Sequence, residues 1–163
     1  MKIEVLQADY QDARHARDLG QLLEAYATDP MGGAAPLAPG VRDRLAAELA
    51  KRPQAFSLLC YVDHQPAGLV NCFEGFSTFK CQPLVNIHDV VVAPEFRGLG
   101  LSRLLLERVE AIAQARGCCK LTLEVLQGNR VAQAAYAKFG FAAYALDPAM
   151  GSALFWQKNL SSA

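Results

Sequence analysis

Val90-Val91-Val92-Ala93-Pro94-Glu95-Phe96-Arg97-Gly98-Leu99-Gly100-Leu101-Ser102-Arg103 is the stretch that decides how this chain folds. An apolar, β-branched run feeds a short glycine-rich loop that opens directly into a helix. The first N–H groups of such a helix have no intrahelical partners, and with the positive end of the helix dipole they converge on one point. Gly98 and Gly100 let the backbone approach an anion closely, and Arg97 and Arg103 add charge. The stretch therefore reads as strand, phosphate-holding loop and helix.

Downstream, Leu101, Leu104, Leu105, Val109, Ile112 and Ala113 make a long amphipathic helix stopped at Gly117, and Leu121 to Leu126 follows as a strand. Strand, loop, helix and strand form one right-handed βαβ unit. A second helix is expected from Asn129 to Phe139, stopped at Gly140. Phe141–Ala145 and Ala153–Lys158 are expected to close the sheet through a turn at Asp147-Pro148. Upstream, Ala55–Val62, a turn at Asp63-His64-Gln65-Pro66, and Ala67–Phe73 read as a hairpin, with Leu84–Val92 the next strand, so the middle is antiparallel sheet. Ile3–Gln7 alternates like a half-buried strand, and Asp9–Ala27 carries Ala13, Ala16, Leu19, Leu23 and Tyr26 at helical spacing. Between Asp29 and Gly40 the composition turns rich in Pro and Gly, a connector or mobile lid, before Val41–Lys51 resumes a short helix.

A chain of 163 residues is most simply one domain, spanning 1–163. At that size it buries roughly two thirds of its unfolded surface. Lys plus Arg and Asp plus Glu stand at 16 each, so no overall basic field favours nucleic acid or an anionic membrane. Anion recognition must be local. Cys60, Cys72, Cys81, Cys118 and Cys119 show no CxxC pair and no zinc spacing, which fits reduced thiols in the cytoplasm and no metal site. Met1 to Val5 lacks the features of a signal peptide, and no apolar run is long enough to cross a membrane.

A Walker-type NTP loop needs Lys then Ser or Thr after its last glycine, whereas Gly100 is followed by Leu101-Ser102-Arg103. A dinucleotide-binding fingerprint would need its third glycine at Arg103, and Glu124 sits within its strand rather than at the tip where a ribose lies. The third reading is more specific. Arg97-Gly98-Leu99-Gly100-Leu101-Ser102 resembles the R/Q-x-x-G-x-G/A signature of the GNAT acyl-CoA N-acyltransferases, with the small Ser102 in the last place. Glu124-Val125, Asn129, Tyr136 and Gly140-Phe141 resemble that family's later strand, Asn, Tyr and Gly-Phe series. The resemblance covers Ala55 to Lys158. Phe76 to Lys80 and Ile87-His88-Asp89 further look like stretches of diamine (spermidine/spermine) acetyltransferases.

The resemblance implies an α/β (α+β) domain with a mixed, mostly antiparallel central sheet, splayed fourth and fifth strands, and flanking helices. Acetyl-CoA is the implied acyl donor, its pantetheine arm lying between Leu84–Val92 and Leu121–Leu126. Its amides would pair with Val90, Val91 and Val92, and its pyrophosphate with the N–H groups of Gly98, Leu99, Gly100, Leu101, Ser102 and Arg103 beside Arg97. A backbone N–H near Val90 would meet the oxyanion. Asn129 is implied as a cofactor contact and Tyr136 as the cofactor-side general acid for the thiolate. The two lie seven residues apart and share a helix face. His88 stands where the diamine subgroup has Glu, next to Asp89, and imidazole as a residue type is a competent base near neutrality. Successive strand residues face opposite sides of a sheet, so His88 and Asp89 reach one substrate only if a bulge intervenes.

The expected function is acetyl-CoA-dependent transfer of an acetyl group to a primary amine by direct attack in a ternary complex. The acceptor is expected to be a small molecule, a polyamine or diamine or an amino acid-like compound foremost, with an aminoglycoside-like compound also open. A protein N-terminus or lysine, or a non-catalytic acyl-CoA-binding regulatory module, are the alternatives. No nucleic-acid or membrane partner is expected, and a homodimer is. His15 and His64 read as solvated, Phe155 and Trp156 as sheet packing, and Phe73, Phe76 and Phe79 as either core or the wall of an apolar substrate cleft.

Overall fold

The computed structural model describes residues 1–161, which divide into a larger unit, Met1–Leu123, and a smaller one beginning at Glu124. In the larger unit, β1 (Ile3–Gln7), β2 (Ala55–Val62), β3 (Gln65–Ser77), β4 (Gln82–Val92) and β5 (Leu121–Leu123) form one mixed sheet in sequential order. The first three pairings are antiparallel and β4–β5 is parallel. Helices α1 (Ala13–Thr28), α2 (Val41–Ala50) and α3 (Leu101–Ala115) flank it. The expected fold class is the one observed.

Asp12 starts α1 by accepting the N–H groups of Arg14 and His15 at 2.8 and 3.0 Å, partners the first helical turn otherwise lacks. One face of α1 then buries Leu19 and Leu22 against Leu49 of α2 and Leu59, Tyr61, Leu69 and Val91 of the sheet. The buried Asp18 belongs to that seam, accepting the Tyr61 hydroxyl at 2.9 Å. Leu101, Leu105, Leu106, Val109 and Ala113 are the buried stripe of α3, at helical spacing. A Cβ at Gly68 would lie 3.0 Å from Leu105 Cδ1 and 3.1 Å from the Val91 carbonyl oxygen, so glycine is what lets α3 settle this close to the sheet.

β4 meets β5 only over Val85–Ile87, opposite Leu121–Leu123. The longer strand expected over Leu121–Leu126 stops after Leu123, and the rest of β4 continues with β3 alone. This is the expected divergence of the fourth and fifth strands. Ala93 N–H donates to Ala67 O at 2.9 Å, so by strand alternation the polar groups of Val91 face β3 while those of Val90 and Val92 face the open edge.

In the smaller unit, α4 (Arg130–Phe139) is capped at its start by the Asn129 side chain, which accepts the Ala132 N–H at 3.1 Å. Gly140 ends it at φ 110°, where side-chain-bearing residues are strained. Its N–H reaches Ala137 O and that of Phe141 reaches Tyr136 O, and the Tyr136 and Phe141 rings pack edge to face. The two strands expected over 141–145 and 153–158 are absent. A 3-10 turn at Pro148–Met150 and one backbone bond, Ala153 N–H to Tyr144 O, replace them. Ala142, Ala143 and Ala145 offer little apolar surface to hold a ladder together, and Phe155 and Trp156, expected to pack on the sheet, are 75% and 84% exposed.

Candidate active site

Between Asn71 and Cys72 of β3 the register with β4 shifts: Asn71 faces Asp89 and Cys72 faces Ile87, leaving His88 as an extra residue in β4. This is a β-bulge, and it breaks the alternation that would send His88 and Asp89 to opposite faces. Both line the same cavity of about 360 Å³. On the sheet side they are joined by Asn71 and Phe73. On the helical side the wall is Leu23, Tyr26 and Ala27 of α1 with Leu45 and Leu49 of α2, and Gly32 and Leu37 come from the connector. The Pro- and Gly-rich segment thus walls the cavity rather than merely joining two helices. Of the three phenylalanines, only Phe73 reaches the cavity; Phe76 and Phe79 are exposed.

Asp89 is held by a file of side chains crossing three strands. Register places Ser57 opposite Asn71 and Asn71 opposite Asp89. Asn71 Nδ2 donates to Asp89 Oδ2 at 3.0 Å, and Ser57 Oγ donates to Asn71 Oδ1 at 2.6 Å. With its proton so committed, Ser57 must accept from the Tyr10 hydroxyl, 2.8 Å away. Every donor in the file points toward the carboxylate. Ser57 and Asn71 are buried, so the direction is fixed by the lack of water as well as by valence. Burial pushes the Tyr10 phenol up, which keeps its proton available for donation. Asp89 makes no other hydrogen bond among the described residues, which leaves Oδ1 an open acceptor on a residue that lines the cavity. His88 is exposed, and its ring meets Phe73 edge to face at 5.5 Å. Burial first, and then the charges of Asp89 and Asp29, raise the Tyr26 phenol, making it a neutral donor in the cavity wall rather than a base.

The loop after β4 has the features an anionic group needs. Gly98 and Gly100 sit at φ 83° and 74°, and a Cβ at either would meet nothing within 4 Å. Gly100 caps α3 without any side-chain hydrogen bond, and the first helical bond there is Leu104 N–H to Gly100 O. The N–H groups of Leu101, Ser102 and Arg103 are thereby left toward an incoming acceptor. Arg97 has two other partners. Its Nη2 pairs with Asp29 at 2.9 Å and its Nε donates to Val92 O at 3.3 Å, tying the loop to the connector that walls the cavity. Arg103 pairs with Glu107 at 2.7 Å. The open loop and the β4 edge fit a ligand with amides and a phosphate group, as acetyl-CoA has.

Asn129 and Tyr136 lie in the smaller unit, Asn129 as the N-cap of α4 with its side-chain oxygen accepting the Ala132 N–H, and Tyr136 within the helix. Among the described residues no cysteine lines the cavity, and burial pushes the Cys60 and Cys72 thiols to about 11 and about 12. Sequence reading missed Tyr26, Asn71, Ser57 and Tyr10. A tyrosine at helical spacing looks like core, and the polar file exists only through strand register.

A five-stranded mixed sheet, with a glycine loop opening its crossover helix and a bulged strand beside it, makes this a mixed α/β domain with an anion-suited loop after β4. Residues 10–141 match the model of the Acetyltransferase (GNAT) family, and the chain belongs to that family. It is 31% identical over 78 residues to a thialysine N-epsilon-acetyltransferase of Caenorhabditis elegans, covering 48% of each chain. It is 41% identical over 66 residues to a streptothricin acetyltransferase of Streptomyces lavendulae, covering 40% of this chain and 35% of that one. The matches thus span about half or less of the curated relatives' length. Among solved structures, a probable acetyltransferase superposes with a TM-score of 0.80 at 18% identity, covering 98% of this chain and 99% of the other. An aminoglycoside N-acetyltransferase in complex with CoA superposes with a TM-score of 0.73 at 16% identity, covering 98% and 96%. At such identities these last likenesses concern the fold.

Proposed function

We propose that this protein transfers the acetyl group of acetyl-CoA directly to the primary amine of a small molecule bound in the cavity. The observation that carries this reading is the bulge at His88, which turns two proton-accepting side chains into one cavity beside the open edge of β4. The family match runs across both units, which supports reading 1–163 as one functional domain. Relatives named for acetylating thialysine and aminoglycosides support a small amine over a protein acceptor.

An amine arrives largely as its ammonium and must lose a proton before its nitrogen can attack. Asp89 Oδ1 draws the ammonium in, and His88, exposed at the cavity mouth, passes the proton toward water. Val90 N–H at the open edge steadies the oxyanion as the nitrogen–carbon bond forms. When the carbon–sulfur bond breaks, Tyr136 donates its phenolic proton to the departing thiolate. A thiol of pKa ~8.5 takes a proton from a phenol near ~10 only in close, water-poor geometry. Val90, Val92 and the loop from Gly98 to Arg103 hold the donor. High thiol pKa values at Cys60 and Cys72 and the absence of cysteine from the cavity favour this direct route over an acyl-enzyme. The free thiols fit a reducing compartment such as the cytoplasm.

The test is CoA thiol release from acetyl-CoA with varied amine, with acetyl-CoA binding followed by calorimetry. Release that depends on amine, with intersecting double-reciprocal lines, is expected. Tight acetyl-CoA binding without release for any amine class would replace the enzyme by an acyl-CoA-binding module, and parallel lines would replace direct attack by a covalent intermediate.

A further inference from the structure

The geometry points to a primary monoamine carried on an apolar aliphatic or aryl-alkyl body as the acceptor, in place of a diamine, polyamine or aminoglycoside. This rests on the transferase reading above and names the substrate class of the same cavity. Among the described residues Asp89 is the only acidic one in the lining, so the cavity presents a single carboxylate, and one oxygen of that carboxylate already accepts from the Asn71 amide. The Asn71 amide adds no charge, and its oxygen already accepts from Ser57 while its nitrogen donates to Asp89. Opposite this polar corner stand Leu23, Leu37, Leu45 and Leu49, with no charged group to meet a second ammonium.

Asp29, in the connector and close enough for its charge to act on Tyr26, is engaged by Arg97 at 2.9 Å. A second ammonium carried into the cavity would therefore give up water for leucine, which charged groups resist strongly. At about 360 Å³ the space lies near the small end for ligand sites and suits one short chain or one ring better than several linked sugars. Phe73 and the leucines supply the apolar contact that would hold such a body, while the carboxylate orients its amine. The feature that distinguishes this cavity from one built for a polycation is thus the ratio of one carboxylate to four leucines.

The experiment compares amines of equal reach: hexylamine against 1,6-diaminohexane, with phenethylamine, spermidine and kanamycin alongside, by CoA release at saturating acetyl-CoA. Expected is a kcat/KM for hexylamine at least about tenfold above that of the diamine, with spermidine and kanamycin lower still. Equal or better turnover of the diamine, spermidine or kanamycin would overturn the monoamine assignment while leaving the transferase reading intact. Acetyl-CoA binding without release by any of the five would remove the transferase reading and the assignment with it. Leu37→Asp, in the connector and away from the strands, adds a second carboxylate to the wall. It should move the hexylamine-to-diamine ratio at least about tenfold toward the diamine. An unchanged ratio in a folded variant would mean that acceptors do not bind in this cavity.

Discussion

Replacing Ser57 by Ala removes one oxygen atom from the molecule's interior and tests the polar file that holds Asp89. Ser57 is fully buried, donates to Asn71 Oδ1 at 2.6 Å and is the acceptor for the Tyr10 hydroxyl at 2.8 Å. In the variant, Asn71 Oδ1 is left buried without a donor, at a cost of about 1–3 kcal/mol. Tyr10 is only half-buried, so water replaces its lost acceptor and adds little. With a urea slope of ~2 kcal/mol per molar, the unfolding midpoint should fall by ~0.5–1.5 M. Asn71→Leu separates the orphaned oxygen from simple loss of packing. If the orphan causes the loss, the Ser57→Ala/Asn71→Leu pair should be more stable than the sum of the single changes by about 1–2 kcal/mol. In CoA release, Ser57→Ala should alter the pH profile of kcat/KM for the amine and leave acetyl-CoA affinity unchanged, because only the Asp89 side of the site is loosened. A midpoint within ~0.2 M of the parent, with an unchanged pH profile, would refute the claim that the file is a buried, directed support for the carboxylate.

Other outcomes follow from the same geometry. A Cβ at Gly32 would overlap the Tyr26 carbonyl oxygen, so Gly32→Ala must push the connector off the end of α1; thermal unfolding should shift down and KM for the amine rise, more than for acetyl-CoA. Arg97, and then the Met31 N–H, hold the Asp29 carboxyl below its ordinary range. A lowered folded pKa means the bridge contributes fully above the ordinary carboxyl value of ~3.9 and is lost as pH falls through the lowered one. The pair is partly exposed, so Asp29→Asn should cost no more than about 1 kcal/mol near neutrality, and urea midpoints of the two proteins should converge in acid. Tyr136→Phe should slow transfer by about 10²-fold with acetyl-CoA affinity nearly intact; an unchanged rate removes Tyr136 from the role of acid.

Much of this was legible in the chain itself because the signals are local. The Val90–Val92 run, the positive-φ glycines and the apolar stripe of α3 each lie within one or two turns of sequence, and they place the loop and the crossover as found. The bulge at His88 has no such signature: no glycine or proline marks it, and strict alternation points the two side chains apart. Ser57, Asn71 and Asp89 look unrelated until register sets them side by side. Tyr26 shares its helical spacing with core residues and is distinguished only by facing a cavity. At the other end, Phe141–Ala145 and Ala153–Lys158 read as strands by composition, but strand formation is settled by a partner, and in place of a ladder Ala153 N–H donates to Tyr144 O.

The most direct measurement is the rate of CoA release by Asp89→Asn at saturating acetyl-CoA, beside the calorimetric affinity of the same variant for acetyl-CoA. If the amine is drawn in and prepared by this carboxylate, kcat/KM for the amine should fall by about 10²-fold or more while acetyl-CoA binds as in the parent. Parental turnover in the variant would contradict the placement of the acceptor in this cavity.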